Sequence, residues 1–169
     1  KFTSNGVLVW AQAIPWLLDV VEDLLVNPDG SILICTKFLA KFSAVGTLLW
    51  AKNNPGIVKL RPYSNGDFLG LEANALSRFD PNGNTLWRRT FGTVGLSLFD
   101  ACLMPDESIF LVGRKDASFA GVFNGVLIKL SPTGETIWSK NYRQTPVTTY
   151  EFDLIAPATN GNLIVAGFC

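Results

Sequence analysis

Residues 125–142 read GVLIKLSPTGETIWSKNY, and a pattern within this stretch occurs four times in the chain. In each copy a cation and an apolar residue precede a turn, glycine lies four positions after the apolar residue, and tryptophan lies four positions after the glycine. Fixed offsets that persist while other residues vary indicate duplication of one hairpin unit, so the sequence predicts a repeat protein. The copies are Lys1, Phe2, Gly6 and Trp10; Lys41, Phe42, Gly46 and Trp50; Arg78, Phe79, Gly83 and Trp87; and Lys129, Leu130, Gly134 and Trp138.

The spacing of these hairpins predicts a β-propeller. The four glycines lie 40, 37 and 51 residues apart, close to the length of a four-stranded propeller blade. The intervening segments alternate apolar and polar residues and contain turn pairs such as Asp29-Gly30 and Asn65-Gly66, which is typical of short strands. Each repeat therefore predicts four strands, named A to D from the centre outward. Strands A and B flank the turn pair, C leads into the signature, and D carries the tryptophan.

We expect an all-β chain that forms a single β-propeller domain of four four-stranded blades over residues 1–169. The repeats are approximately 13–52, 53–90, 91–141, and 142–169 together with 1–12, so that the blade made from both chain ends closes the ring. The alternative is that the chain forms half of a larger propeller. The longest interval predicts a loop insertion at 114–124, and Gly70-Leu71-Glu72 weakens the prediction of strand B in the second repeat.

The composition argues against several classes of function. The 14 basic and 14 acidic residues cancel, and no basic run exceeds Arg88-Arg89, so no nucleic-acid binding is predicted. No apolar stretch approaches the roughly 20 residues of a transmembrane helix. Histidine is absent, which removes imidazole catalysis and Cys/His zinc sites. We expect Cys35 and Cys102 to be buried free thiols, and Cys169 is a candidate for pairing between chains.

Two segments resemble a known group of proteins. Residues 125–142 and the segment NGNLIVAG at 160–167 resemble the repeats of secreted bacterial β-propeller proteins, which read apolar-Lys-Leu-Asp-x-x-Gly-x-x-x-Trp and then Asp-Gly-Gly-Tyr-x-Val-x-Gly. The resemblance covers nearly the whole chain and implies a propeller fold, a bacterial or archaeal origin and export from the cytoplasm, but no reaction. The chain is more distantly similar to the tryptophan-docking repeats of quinoproteins, although no set of calcium and quinone ligands is recognisable in it.

The repeated aromatic and glycine residues are assigned a structural role. A tryptophan that recurs at one offset in each blade is typical of packing between neighbouring blades rather than of a stacking site for ligands. This prediction covers Trp10, Trp50, Trp87 and Trp138, together with Gly6, Gly46, Gly83 and Gly134.

Candidate binding residues lie outside the signature. We expect contacts with a ligand at Trp16, Tyr63 and Tyr150, with Asn53 and Asn54 as further candidates. Five carboxylates fall in or just before predicted inner strands, where they either bind a cation such as calcium or accept hydrogen bonds from turns and backbone; no metal site is assigned. These carboxylates belong to Asp19, Glu22, Asp23, Asp100 and Asp153.

The function predicted from these residues is that of a non-catalytic extracellular structural or protein-interaction module. The protein is expected to be secreted or at the cell surface, to be no enzyme, to need no cofactor, and to bind protein partners or copies of itself. One alternative is a carbohydrate-binding, lectin-like propeller that contacts glycans. The other is a fragment of a larger quinoprotein-like or hydrolase propeller.

Overall fold

A computed structural model describes residues 1–13, 20–92, 94–117, 121–143 and 149–168. The described residues form an all-β fold of three four-stranded antiparallel sheets and one two-stranded sheet. Blade I contains β1 (Asp23–Val26), β2 (Ile32–Cys35), β3 (Phe38–Phe42) and β4 (Leu48–Asn53). Blade II contains β5 (Lys59–Pro62), β6 (Phe68–Leu71), β7 (Ala75–Phe79) and β8 (Thr85–Thr90). Blade III contains β9 (Leu96–Leu103), β10 (Ile109–Asp116), β11 (Phe123–Leu130) and β12 (Thr136–Tyr142), and the two-stranded sheet contains β13 (Glu151–Pro157) and β14 (Leu163–Phe168).

The strands of each sheet are paired in chain order, which is the arrangement of a propeller blade with strands A, B, C and D. At the two ends of the row lie half-blades. Strands β13 and β14 occupy positions A and B, and residues 1–10 form a hairpin at positions C and D in which Phe2 and Leu8 are bridged. In the described parts of the chain β14 is paired with β13 alone and the hairpin with neither of them. The ring is therefore not closed.

Apolar side chains between successive blades form the core. Leu33 of blade I shares one buried cluster with Leu60 of blade II, and Leu69 of blade II shares a second with Leu111 of blade III. A third cluster joins Phe110 to Ile155 of the terminal half-blade. The burial of these alternating faces against the next blade is the main source of stability that the fold offers.

Two local expectations are corrected. The segment 114–124 is not only a loop, because β10 continues to Asp116 and β11 begins at Phe123, so much of the extra length extends a hairpin. Strand B of the second repeat is present as β6, and all four of its residues are buried. Gly70 belongs there because a Cβ would lie 2.7 Å from the Ile57 side chain that packs over it.

In the ranges that the structure describes, no helix has the length and apolar character needed to cross a membrane.

Candidate functional site: the inner cleft and the contacts that build it

Tryptophan and glycine of the repeated signature contact each other between blades. The rings of Trp10, Trp50 and Trp87 lie against Gly46, Gly83 and Gly134 of the following repeat, where an added Cβ would meet the ring at 3.0, 2.7 and 3.0 Å respectively. These glycines also have φ values of +87°, +71° and +81°, in the left-handed region that favours glycine. The offset between the two residues therefore places each ring over the next turn.

Hydrogen bonds fix the same contact. Trp10 Nε1 donates to the Ala44 carbonyl at 3.3 Å, and Trp50 Nε1 donates to the Pro81 carbonyl at 3.3 Å. Lys41, the buried signature cation, also donates to the Pro81 carbonyl at 3.2 Å. These side chains satisfy turn carbonyls that would otherwise lose hydrogen bonds on burial.

A cleft of about 840 Å³ lies on the side of the row where strand A of each blade turns into strand B. We call it the inner cleft. It is lined by the ends of β5, β9 and β13 and by the turns that follow them, including Ser64, Met104, Pro105, Glu107 and Pro157. Its volume lies in the range of ligand sites in proteins, and most of its lining side chains are apolar.

Arg61, which lines this cleft, is the centre of a network of hydrogen bonds and ion pairs. The Arg61 guanidinium pairs with Asp100, lies 3.5 Å from Asp23, and donates to the Ala101 carbonyl at 2.7 Å. Because its donors are engaged with three neighbours, Arg61 positions the three inner strands relative to one another. It is therefore bound within the wall of the cleft.

Two of the predicted inner carboxylates accept hydrogen bonds from backbone N–H groups of the next blade. Asp23 accepts a hydrogen bond from Leu60 N at 2.8 Å, and Asp100 accepts one from Ile155 N at 3.0 Å. Within the described residues, no three side chains of Asp, Glu, Cys or His converge as metal ligands would. Asp19 lies outside the described residues. The carboxylates of Asp23 and Asp100 thus connect neighbouring blades through these hydrogen bonds.

Tyr63 lines the inner cleft, but its ring is only 2% exposed. The Arg78 guanidinium covers the ring at 3.8 Å from its centroid, so a sugar has no free ring face on which to stack. Burial raises the pKa of Tyr63 to about 12 although the Arg78 charge opposes this. Its hydroxyl, buried without a hydrogen-bond partner among the described residues, is accordingly neutral near pH 7.

The other predicted ligand contacts are not gathered around Tyr63. Tyr150 precedes β13, whose far end borders the inner cleft, so Tyr150 lies at the opposite end of the inner strands. Trp16 lies outside the described residues. The Asn54 side chain accepts hydrogen bonds from Gly56 N and Ile57 N and donates to the Ile57 carbonyl, and it thereby holds the turn between β4 and β5, while Asn53 ends β4.

Sequence reasoning missed Glu107, which borders the inner cleft. It has φ +60° at a turn position where the other repeats carry Gly30, Gly66 and Gly161. A non-glycine residue in this conformation costs roughly 1–2 kcal/mol. The signal was visible in the sequence as the departure of Asp106-Glu107 from the turn pairs of the other repeats.

The two buried thiols, Cys35 and Cys102, have raised pKa values. Burial, with a contribution from the Asp23 carboxylate, raises the pKa of Cys35 to about 11. Burial also raises the pKa of Cys102, which lines the inner cleft. Both thiols are free and protonated at neutral pH.

The blades, their sequential pairing and the contacts between them define a protein of the β-propeller-like class. No protein-family model matches the sequence, and no curated protein matches it at significant similarity. Among solved structures, the chain is similar to the WD40 domain of Pan2 from Neurospora crassa, with 10% identity and a TM-score of 0.69 over 88% of this chain and 44% of that one.

Two bacterial structures are also similar. A protein of unknown function from Bacteroides caccae matches with 16% identity and a TM-score of 0.63 over 97% of this chain and 61% of that one. BamB from Moraxella catarrhalis matches with 12% identity and a TM-score of 0.60 over 88% of this chain and 47% of that one. The chain thus spans 44 to 61% of the length of these propeller-like structures.

Proposed function

We propose that this chain is a non-catalytic protein-interaction module that binds an extended, mainly apolar peptide segment of a partner in the inner cleft. The observation that carries the proposal is the cleft itself, about 840 Å³ in volume and built from the inner ends of three successive sheets. Apolar walls with few polar groups suit burial of apolar side chains, which drives most protein association.

The polar groups of the cleft favour binding over catalysis. Arg61 is engaged by Asp100 and Asp23, Tyr63 has a pKa of about 12, and the Cys102 thiol is protonated. A nucleophile or general base needs a pKa near the working pH or a base beside it. The Glu107 carboxylate lies 3.4 Å from the Arg78 guanidinium and is 46% exposed at the cleft. We assign its exposed oxygen to hydrogen bonds with backbone N–H groups of the peptide.

The strain at Glu107 supports the same assignment. A glycine would relieve the unfavourable backbone conformation, as it does in the corresponding turns of the other repeats. Backbone strain of this kind is concentrated at binding sites. A carboxylate at the edge of the cleft provides a function that glycine lacks.

The proposal is tested by selecting peptides from a random phage-displayed library on the immobilised protein and measuring their affinity by fluorescence polarisation. We expect apolar-rich peptides with micromolar Kd and a loss of at least tenfold in Ser64→Glu, which places a charge on an exposed position of the cleft. Ser139→Glu, an exposed position on outer strand β12, is the matched control and should bind like the wild type. Equal affinity in Ser64→Glu would refute binding in the cleft.

A glycan array separates this proposal from the lectin-like alternative. We expect no glycan signal, because the Tyr63 ring is covered by Arg78. A signal that Trp16→Ala abolishes would instead favour carbohydrate binding and count against the peptide. The extracellular location is part of the proposal and rests on the resemblance of residues 125–142 to secreted repeats; detection of the protein only in the cytoplasmic fraction of its source cells would overturn it.

A further inference from the structure

Two sulfur atoms meet where strand A of blade III ends. Cys102 belongs to β9, and Met104, the single methionine of the sequence, directly follows this strand. The Cys102 Sγ and Met104 Sδ atoms lie 3.9 Å apart. Side chains two residues apart on an extended strand point to the same face. The sequence Cys-Leu-Met therefore places both sulfurs on one side of the strand end.

The sulfur pair is a departure of blade III from the repeat. The register of strands A and B identifies the residues that correspond to Cys102, and the hydrogen bonds of the following turn identify those that correspond to Met104. None of these residues in the other described blades and the terminal half-blade contains sulfur. They are Leu25, Arg61 and Ala156 at the position of Cys102, and Asn27, Tyr63 and Ala158 at that of Met104.

The pair lies at the boundary between the core and the inner cleft. Cys102 is 4% exposed and packs in one cluster with Phe110 and Ile155, while Met104 is partly exposed. Both residues line the inner cleft, and the Cys102 thiol is free. An ion that enters the cleft therefore reaches both sulfurs, which would not be so for a pair enclosed in the core.

The separation of the two sulfurs fits one bridging metal ion. With metal–sulfur bonds of about 2.3 Å, two sulfurs 3.9 Å apart form an angle of about 115° at the metal. This angle is close to that of a three-coordinate centre. A third donor can then come from solvent or from a molecule in the cleft.

The chemistry of the two donors selects the metal. Thiolate and thioether sulfur are soft ligands that favour Cu(I), whereas structural zinc takes four ligands. Within the part of the chain that the structure describes, no three side chains of Cys, His, Asp or Glu converge to hold an ion. The charge also matters, because a thiolate and a monovalent ion form a neutral unit, which avoids the cost of burying a charge.

From the contact, its access to the cleft and the softness of its donors, we propose that Cys102 and Met104 bind one Cu(I) ion in the wall of the inner cleft. On binding, the Cys102 S–H bond breaks, the proton passes to solvent, and a copper–sulfur bond forms. The Met104 Sδ donates a lone pair and loses no group. No electron is transferred, so the copper remains Cu(I). This site does not depend on peptide binding in the cleft.

Anaerobic titration with Cu(I) supplied as its complex with the coloured chelator bicinchoninate tests the site. The parent protein carries Cys169→Ser, which removes the thiol at the end of the sequence. We expect one copper to pass from the chelator to each chain. Met104→Leu, which keeps an apolar side chain of similar volume, should bind copper at least tenfold more weakly, and Cys102→Ala should not bind it. Cys35→Ala, which removes the buried free thiol of blade I, is the matched control and should bind like the parent.

X-ray absorption at the copper edge gives a second measurement that needs no Cys102 variant. The loaded parent should show sulfur neighbours at about 2.3 Å, and Met104→Leu should show fewer of them. Equal affinity in Met104→Leu would overturn the proposal, because a single thiol would then account for the binding. Absence of copper uptake by the parent, or uptake that is lost in Cys35→Ala, would equally overturn it.

Discussion

Replacing Gly83 with alanine tests the contact that repeats between the blades. The backbone at Gly83 has φ +71°, and a residue with a Cβ in this region costs about 1–2 kcal/mol. The new Cβ would also lie 2.7 Å from the Trp50 ring, which is held by its hydrogen bond to the Pro81 carbonyl. Overpacking of this kind costs about 1–3 kcal/mol. We expect the free energy of unfolding to fall by about 2–5 kcal/mol in total.

A double-mutant cycle in urea separates the two contributions. In a Trp50→Leu background the ring is absent, so Gly83→Ala should cost only the backbone part, about 1–2 kcal/mol. The coupling energy between the two positions should therefore be about 1–3 kcal/mol. Gly6→Ala is the matched control, since its φ is +78° and no atom lies within 4 Å of the added Cβ.

Equal costs of Gly83→Ala in the two backgrounds would refute the reasoning. Such a result would mean that the signature glycine is required by the turn alone and that the tryptophan does not select it. The repeated spacing between the two residues would then need another physical cause.

Four further outcomes are expected. Asp100→Asn should lower the free energy of unfolding by about 2 kcal/mol, because the carboxylate is 3% exposed and pairs with a guanidinium, whereas Glu135→Gln in an exposed ion pair should change it by less than about 1 kcal/mol. Glu107→Gly should raise it by about 0.5–1 kcal/mol in the same urea titration by relieving the positive φ, and no gain would show that the turn is unstrained. Cys35, with its pKa of about 11, should resist a thiol reagent at pH 8 until the protein is unfolded, as peptide mass spectrometry would show; rapid labelling would contradict its burial. Hydrogen bonds from the hydroxyl and backbone N–H of Ser31 hold the pKa of Asp29 below 3.8, so the stabilisation by this carboxylate is present above that pH and is lost as the pH falls through the folded-state pKa. Asp29→Asn should accordingly make the acid dependence of unfolding shallower, and an unchanged acid dependence would contradict this.

The blade architecture was predictable because it follows from local chemistry. The turn pairs, the alternation of apolar residues and the spacing of the signature fix four strands in each repeat, and the structure places β1 to β12 accordingly. The all-β, propeller-like fold is confirmed at this level. Strand β6 was harder to predict from the local sequence. Its Gly70 is required because the Ile57 side chain, which comes from a different segment, packs over it.

The candidate site was less predictable because it depends on distances across blades. Tyr63 was predicted as a contact with a ligand, but Arg78 lies over its ring in the folded chain. The carboxylates of Asp23 and Asp100 were recognised as inner residues, while their acceptance of hydrogen bonds from the next blade required knowledge of blade packing. At Glu107 the sequence departs from the glycine of the other repeats, but only the folded structure shows that this residue borders the inner cleft.

The size of the ring is a different kind of property, because the signature does not encode it. Each tryptophan packs on the glycine of the following repeat, and this contact has the same form in a ring of any size. An open row of such repeats always leaves one tryptophan without a signature glycine to pack on, here Trp138. It also leaves one signature glycine without a tryptophan, here Gly6. The contact therefore makes closure favourable without specifying the number of blades. That number depends on the small rotation between neighbouring blades, which the side chains packed between the sheets determine.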